Sequence, residues 1–205
     1  MQNKTITMID YGGSNLRSAQ KAFEYIGADV QLTSDPEDVL KAGKLTLPGV
    51  GAFGSGMAAV RERNLEEAIR AAVAKGTPLL GICIGMQFLF DESDEMGIHK
   101  GFGLIPGRVK RFPANGLKVP HMGWNQLEFD TPHLLLTNVK SGSHTYFVHS
   151  YYCIPENDAD IVAQADYGDP FTAIVKHNNV YGLQFHPEKS QHTGLQIIRN
   201  YVELM

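Results

Sequence analysis

From Thr5 to Phe90 the sequence switches repeatedly between strand-like runs and helix-like periodicity, and this rhythm constrains the fold more than any other feature. Thr5–Tyr11 reads as a strand that enters a turn at Gly12-Gly13, with Asn15 as a candidate cap. Leu16, Ala19, Phe23 and Ile26 then recur at helical spacing, and Gly27 ends that helix. Asp29–Thr33 is a short strand, Pro36–Ala42 a short helical turn with a proline start, and Lys44–Leu47 a strand running into Pro48-Gly49-Val50-Gly51. Leu65, Ala68, Ile69, Ala72 and Val73 mark an amphipathic helix. Pro78–Cys83 is continuously apolar, as a buried parallel strand is, and Gly85–Phe90 reads as the start of a helix. The alternation predicts an α/β fold with a mostly parallel central sheet and helices on both faces. In such folds the active site lies beyond the carboxyl ends of the strands.

The second half changes character. Short strand-like runs occur at Arg108–Phe112, Leu134–Leu136, Tyr146–Tyr152, Ile161–Ala165 and Val180–Gln184, with turn signals at Asn115-Gly116 and Asn178-Asn179. These predict a smaller antiparallel sheet packed on the core. Thr193–Leu204 reads as a last helix with Leu195, Ile198 and Val202 on one face. At 205 residues the chain fits a single domain spanning 1–205.

The net charge of −4, with no basic block, gives no electrostatic support for a nucleic-acid or anionic-membrane partner. The residues from Met1 to Thr7 contain no apolar run of signal-peptide length, and no apolar stretch reaches membrane-span length. Cys83 and Cys153 are the only cysteines, without zinc-type spacing, and the histidines form no ligand motif. We therefore expect a cytoplasmic chain with free thiols and neither metal nor cofactor.

Three segments carry chemistry. In Gly81-Ile82-Cys83-Ile84-Gly85 an apolar strand runs in and a helix runs out. A nucleophile on that turn needs a strained backbone, with glycines that let neighbouring chain approach, and a following helix N-terminus favours thiolate. A buried structural cysteine is the alternative. In Gln184-Phe185-His186-Pro187-Glu188-Lys189 an extended chain through Pro187 would put His186 and Glu188 on one face. The carboxylate would then fix the imidazole tautomer and make the other ring nitrogen the base for a thiol. Pro187 also holds His186 away from helical backbone. Alone, the pair reads equally as solvated surface groups; with Cys83 it makes a Cys-His-Glu triad. Leu47–Phe53 is glycine-rich but lacks the Gly-Lys-Ser/Thr of a phosphate loop, and its formal G-x-G-x-x-G lacks the capped helix and later acid of a dinucleotide site. It is either a simple turn or, through backbone N–H groups at Val50 and Gly51 together with Ile84, an oxyanion hole. The aromatic run Tyr146–Tyr152 is core packing or the lining of a binding site.

The chain order Cys, His, Glu and the His-Pro-Glu ending resemble the class I, triad-type glutamine amidotransferases. Residues 10–16, 48–53, 81–87, 120–125, 147–151 and 184–190 more closely resemble the glutaminase subunits of imidazole glycerol phosphate synthases. One departure is Gly13-Ser14, where that family more usually has another residue and then Gly. The resemblance spans nearly the whole chain. It implies a flavodoxin-like core and glutamine hydrolysis through a glutamyl thioester on Cys83. It further implies that Gln87 and Glu95 hold the substrate and that Ser150 and Tyr151 lie near its α-carboxylate and α-amine. An oxyanion strand at Val50-Gly51 would need a peptide flip to become competent. A cyclase subunit with a β/α-barrel is the implied partner, receiving ammonia and facing His121, Met122, Trp124, Asn125 and Lys189. From its residue type alone, Trp124 fits an interface anchor or the core equally. Other readings are an amidotransferase subunit of pyridoxal phosphate synthesis, a partner-free γ-glutamyl hydrolase, and a non-catalytic scaffold. Pro120–Asn125 and the expected lack of an attached synthetase domain argue against most enzymes of the first two kinds, and intact Cys83, His186 and Glu188 against the third.

Overall fold

The computed structural model describes residues 4–13, 15–113 and 116–205. Met1–Asn3, Ser14 and Asn115, each part of a reading above, lie outside the described residues. The chain order of the first half is β1 (Thr5–Ile9), α1 (Leu16–Tyr25), β2 (Asp29–Thr33), α2 (Pro36–Lys41), β3 (Leu45–Gly49), α3 (Phe53–Glu62), α4 (Leu65–Ala74), β4 (Leu79–Cys83) and α5 (Ile84–Gln87). It continues through β5 (Phe90–Ser93), β6 (His99–Lys100), β7 (Ile105–Arg111), β8 (His121–Leu127), β9 (Ser143–His149) and β10 (Tyr151–Pro155). It closes with β11 (Ile161–Asp166), β12 (Pro170–His177), β13 (Val180–Leu183) and α6 (Gln191–Leu204).

The main sheet has seven strands in the order β11-β12-β13-β4-β3-β1-β2. The five from β13 to β2 are parallel, and β12 and β11 extend that edge antiparallel. Alternate residues of one strand feed opposite faces, as the two-residue side-chain period requires. Ile6, Leu80 and Ile82 pack with Phe23 of α1 and Ile198 and Tyr201 of α6. Ile9, Leu47 and Leu79 pack with Val39, Val60 and Ile69 from α2, α3 and α4. Each such fully buried aliphatic or aromatic side chain stabilises the fold by about 1.5–3 kcal/mol relative to exposure. The expected mostly parallel sheet with helices on both faces is the architecture found.

The smaller sheets depart from expectation in detail. One is mixed and four-stranded, β10-β7-β5-β6, with β5 parallel to β7. The other is the antiparallel pair β8-β9. Tyr146–Tyr152, expected as one strand, breaks at Ser150 and supplies β9 to one sheet and β10 to another. Leu134–Leu136 is a turn of 3₁₀ helix: Leu135 and Leu136 are buried, and the His133 ring accepts from the Leu135 N–H. Three consecutive leucines carry no period, so strand and helical turn look alike in sequence. Helix α5 is a single turn that begins at Ile84 and gives way to β5, in place of a helix over Gly85–Phe90. Asn15 stands at φ 71° and makes no side-chain cap.

Candidate active site

Cys83 ends β4 and is the last residue before α5, with φ 56° and ψ −113°. A non-glycine residue with positive φ is strained, and the surroundings must hold it there. The flanking glycines show how. A Cβ on Gly85 would stand 1.8 Å from the Leu47 carbonyl oxygen, and one on Gly81 would stand 2.5 Å from the Gly85 oxygen. The turn therefore tightens against its own backbone and against β3, with Gly49 in register beside Cys83. The thiol is presented at the carboxyl edge of the parallel strands.

The base arrives from the neighbouring strand. β13 pairs with β4, Leu183 opposite Ile82, and three residues later His186 reaches the same edge. Pro187–Lys189 form a 3₁₀ turn, so the chain does not stay extended through Pro187 as expected. His186 itself is extended, at φ −92° and ψ 100°. The turn still closes the pair: His186 Nδ1 lies 2.9 Å from Glu188 Oε1, with side chains 3% and 4% exposed. Two contacts fix the His186 backbone. Its N–H donates to the Tyr146 carbonyl of β9 at 3.0 Å, and its carbonyl accepts from Ser190 Oγ at 2.6 Å. Ser190 Oγ also accepts from the Tyr146 N–H at 2.9 Å, closing a clip between the two segments.

Nε2 of His186 is buried and makes no hydrogen bond of standard geometry, although Cys83 lies close enough to bias its charge. Burial pulls the imidazolium down, but the proximity of Cys83 and the contact with Glu188 outweigh it and lift its pKa to about 10. The imidazolium form of His186 is thus favoured beside the sulfur and the carboxylate. Glu188 has a further partner that the sequence reading did not find: Asn15 Nδ2 donates to its Oε1 at 3.1 Å. Asn15 stands immediately before α1, and local pattern identified it only as a helix cap.

A cavity of about 320 Å³ opens over Cys83, lined by Val50, Gly51, Ile84, Gln87, Glu95, Ser150, Tyr151 and His186 among others. Of the residues expected to form the triad, the oxyanion strand and the substrate site, all but Glu188 line this cavity, and Glu188 contacts the lining residue His186. Gly51 has φ +114°. Gln87 Nε2 donates to the Tyr151 carbonyl and to Gln184 Oε1, both at 3.2 Å. Glu95 Oε2 accepts from the Phe53 N–H at 2.6 Å, so one carboxylate oxygen anchors the start of α3. That helix, which the glycine-rich loop did not announce, follows Gly51 directly.

The expected partner-facing residues divide. Met122 and Trp124 are 62% and 47% exposed on one face of β8, and Lys189 is exposed with Nζ 5.8 Å from the Tyr146 ring centroid. Asn125 is half-buried. His121 corrects the expectation: it is 4% exposed, because strand alternation turns it inward from Met122 toward Phe147 and Phe171. Both cysteines are buried and free. Among the described residues no helix is long and apolar enough to cross a membrane.

A strained Cys at a strand-to-helix turn, a His-Glu pair just beyond the neighbouring strand and a cavity over the thiol are the arrangement of a cysteine-dependent amidase on an α/β sheet. The family model for glutamine amidotransferase class-I matches residues 7–204, and the chain belongs to that family. Among curated relatives, the imidazole glycerol phosphate synthase subunit HisH of Syntrophotalea carbinolica is 49% identical over 97% of this chain and 100% of its own length. The subunit of the same name from Geobacillus kaustophilus is 50% identical over 96% and 95%. Within the class the chain belongs, with these relatives, to the family of imidazole glycerol phosphate synthase HisH subunits. The fold is also that of a solved glutamine amidotransferase, 21% identical with a TM-score of 0.76 over 96% of this chain and 97% of the other.

Proposed function

We propose that this chain is the glutaminase subunit of an imidazole glycerol phosphate synthase. It hydrolyses L-glutamine with Cys83, His186 and Glu188 and hands ammonia to a cyclase partner in histidine biosynthesis. The observation that carries the triad is the 2.9 Å contact of His186 with Glu188, just past the strand that pairs with the one ending in Cys83. The Cys83 thiolate attacks the side-chain amide carbon, and the new oxyanion is met by backbone N–H groups near Val50, Gly51 and Ile84. Donors of this kind are worth about 10²–10³ in rate each. The C–N bond breaks as His186 gives its proton from Nε2 to the departing nitrogen, leaving ammonia and a glutamyl thioester. Water then gives a proton back to His186 Nε2 as it attacks the thioester, the C–S bond breaks to return the Cys83 thiolate, and glutamate leaves. Glu188 stays ionised throughout and holds Nδ1–H.

Gln87, Glu95, Ser150 and Tyr151 hold the amino-acid end of glutamine. Trp124, Met122, Asn125 and Lys189 face the partner, a β/α-barrel that consumes ammonia before it reaches water. Such a chain works in the cytoplasm. The test is ammonia release from glutamine by the chain alone and with the cyclase subunit and its ribonucleotide ligand, with Cys83→Ala as control. Weak activity alone, strong stimulation by the pair and loss in the variant are expected. Full activity without a partner overturns the gated reading in favour of a free-standing hydrolase.

A further inference from the structure

Behind the substrate cavity two histidines form a hydrogen-bonded chain whose direction is fixed at both ends. At the inner end His149 Nδ1 lies 2.8 Å from the Tyr151 carbonyl oxygen. A carbonyl only accepts, so Nδ1 carries the hydrogen and Nε2 of a neutral ring is left as acceptor. That Nε2 lies 3.0 Å from His121 Nδ1, which therefore donates. His121 Nε2 is then the acceptor, and Asn125 Nδ2 faces it at 3.3 Å. The outer end fixes the same direction independently. Asn125 Oδ1 accepts from the Gln126 N–H at 2.8 Å and Nδ2 donates to the Asp166 carbonyl at 2.7 Å, so the amide cannot flip. Both rings are thereby Nδ1–H tautomers.

An added proton breaks the chain wherever it lands. On His149 Nε2 it points at the His121 N–H, and on His121 Nε2 it opposes the Asn125 amide. Both rings are buried, and the His121 ring is stacked on Phe147 and Tyr167, with centroids 5.2 and 4.1 Å away. Burial pushes the His121 pKa down to about 4; burial together with the charges of His121 and His186 takes His149 to about 3, despite the Tyr151 carbonyl. The Tyr151 carbonyl that ends the chain also accepts from Gln87, and His149, Ser150, Tyr151 and Gln87 all line the cavity. Asn125, where the chain begins, stands next to exposed Trp124.

We propose that His121 and His149 are positioning residues, a tautomer-locked neutral pair that ties the Asn125 end of the β8–β9 hairpin to the Ser150-Tyr151 wall of the substrate cavity. The pair sets where the amino-acid end of glutamine is held, and it keeps a second cation away from His186.

The proposal deepens the glutaminase reading, and its activity arm rests on it. Long-range ¹H–¹⁵N spectra of the histidine-labelled chain near neutral pH should show both rings neutral and Nδ1-protonated, with no titration down to about pH 5. An Nε2–H tautomer or a charged ring at either position overturns the lock, whatever the enzyme's activity. In the synthase complex His121→Phe, which keeps the stack and loses both hydrogen bonds, should raise KM for glutamine about tenfold while kcat moves less, as loss of ground-state positioning does. His121→Asn, whose amide can donate to His149, should recover most of that loss. A wild-type KM in the Phe variant overturns the positioning role. If the Phe variant does not fold, the Asn variant and the wild-type spectra still decide. Absence of wild-type glutaminase activity would remove the catalytic reading while leaving the tautomer result standing.

Discussion

His186 and Glu188 meet across a single turn of 3₁₀ helix, Nδ1 to Oε1 at 2.9 Å, with both side chains almost entirely out of solvent. A carboxylate placed there does two things: it fixes the tautomer and stabilises the imidazolium that forms as the thiol is deprotonated. Glu188→Gln keeps the volume and loses the charge. Glutamine turnover should fall by about 10²–10⁴ in kcat with KM changed far less, the pattern of lost transition-state stabilisation. A variant with near-wild-type kcat would remove Glu188 from the triad.

Asn15 extends that relationship by one residue, since its amide holds the same Glu188 oxygen at 3.1 Å. Asn15→Ala frees the carboxylate to swing, and about a tenfold fall in kcat is expected, comparable to the loss of a hydrogen bond to a charged group at about 1.5 kcal/mol. Asn15→Asp should be worse, because it sets a second carboxylate against Glu188. Steady-state kinetics of the two variants side by side check this; equal activity in both would show that Asn15 does not orient the acid.

Gly85 has no room for a side chain, because a Cβ would press on the Leu47 carbonyl at 1.8 Å. Gly85→Ala must push α5 away from β3 and carry Cys83 with it. Expected are a lowered melting temperature, corresponding to at least about 2 kcal/mol, and near-total loss of thioester formation. Thermal unfolding and trapping with a glutamine-like electrophile measure the two separately. An unshifted melting temperature would refute the packing argument.

Neutral burial of His121 and His149 gives the fold a defined acid sensitivity. Their folded pKa values, about 4 and about 3, lie below the ordinary 6.5. Between these limits the unfolded chain binds protons that the folded chain does not, so stability falls as pH drops below about 6.5. Each ring contributes up to about 1.4 kcal/mol per pH unit in that window. Urea unfolding at pH 6.5, 5.5 and 4.5 should show a shallower decline for His121→Phe than for wild type. Parallel lines for the two proteins would mean that His121 is already charged in the fold.

Trp124 is 47% exposed and leans edge-on to Tyr146 at 5.9 Å. Trp124→Ala should leave thermal stability almost unchanged and weaken association with the cyclase subunit by about 2 kcal/mol or more, as interface aromatics do. Thermal unfolding of the isolated chain checks the first half and titration calorimetry with the cyclase subunit the second. Unchanged affinity would move the interface elsewhere.

What was legible in the sequence follows the range of the interactions involved. The strand-to-helix rhythm gave the parallel sheet, because Leu80 and Ile82, or Ala68 and Ala72, take their places from local period alone. Cys83 and His186 were legible because each sits in a short motif whose backbone demands are local. The link from Asn15 to Glu188 spans more than half the chain, and nothing in the residues beside Asn15 announces it. His121 and His149 were legible as strand residues, yet their partnership depends on the register of β8 against β9, which pairs them directly. The break at Ser150 was hidden because Tyr146–Tyr152 is rich in aromatic and β-prone residues on both sides of it; the two halves pair in different sheets.

The order of the main sheet carries a consequence for the chain as it emerges from the ribosome. β13 lies between β4 and β12 and carries the base to the thiol, yet it is translated long after the strand that ends in Cys83. Until Val180–Leu183 are available, β4 has one open edge and Cys83 has neither His186 nor Glu188 beside it. A nascent chain therefore carries Cys83 without its proposed base and acid through most of synthesis, and the same strand that completes the parallel sheet brings them to it.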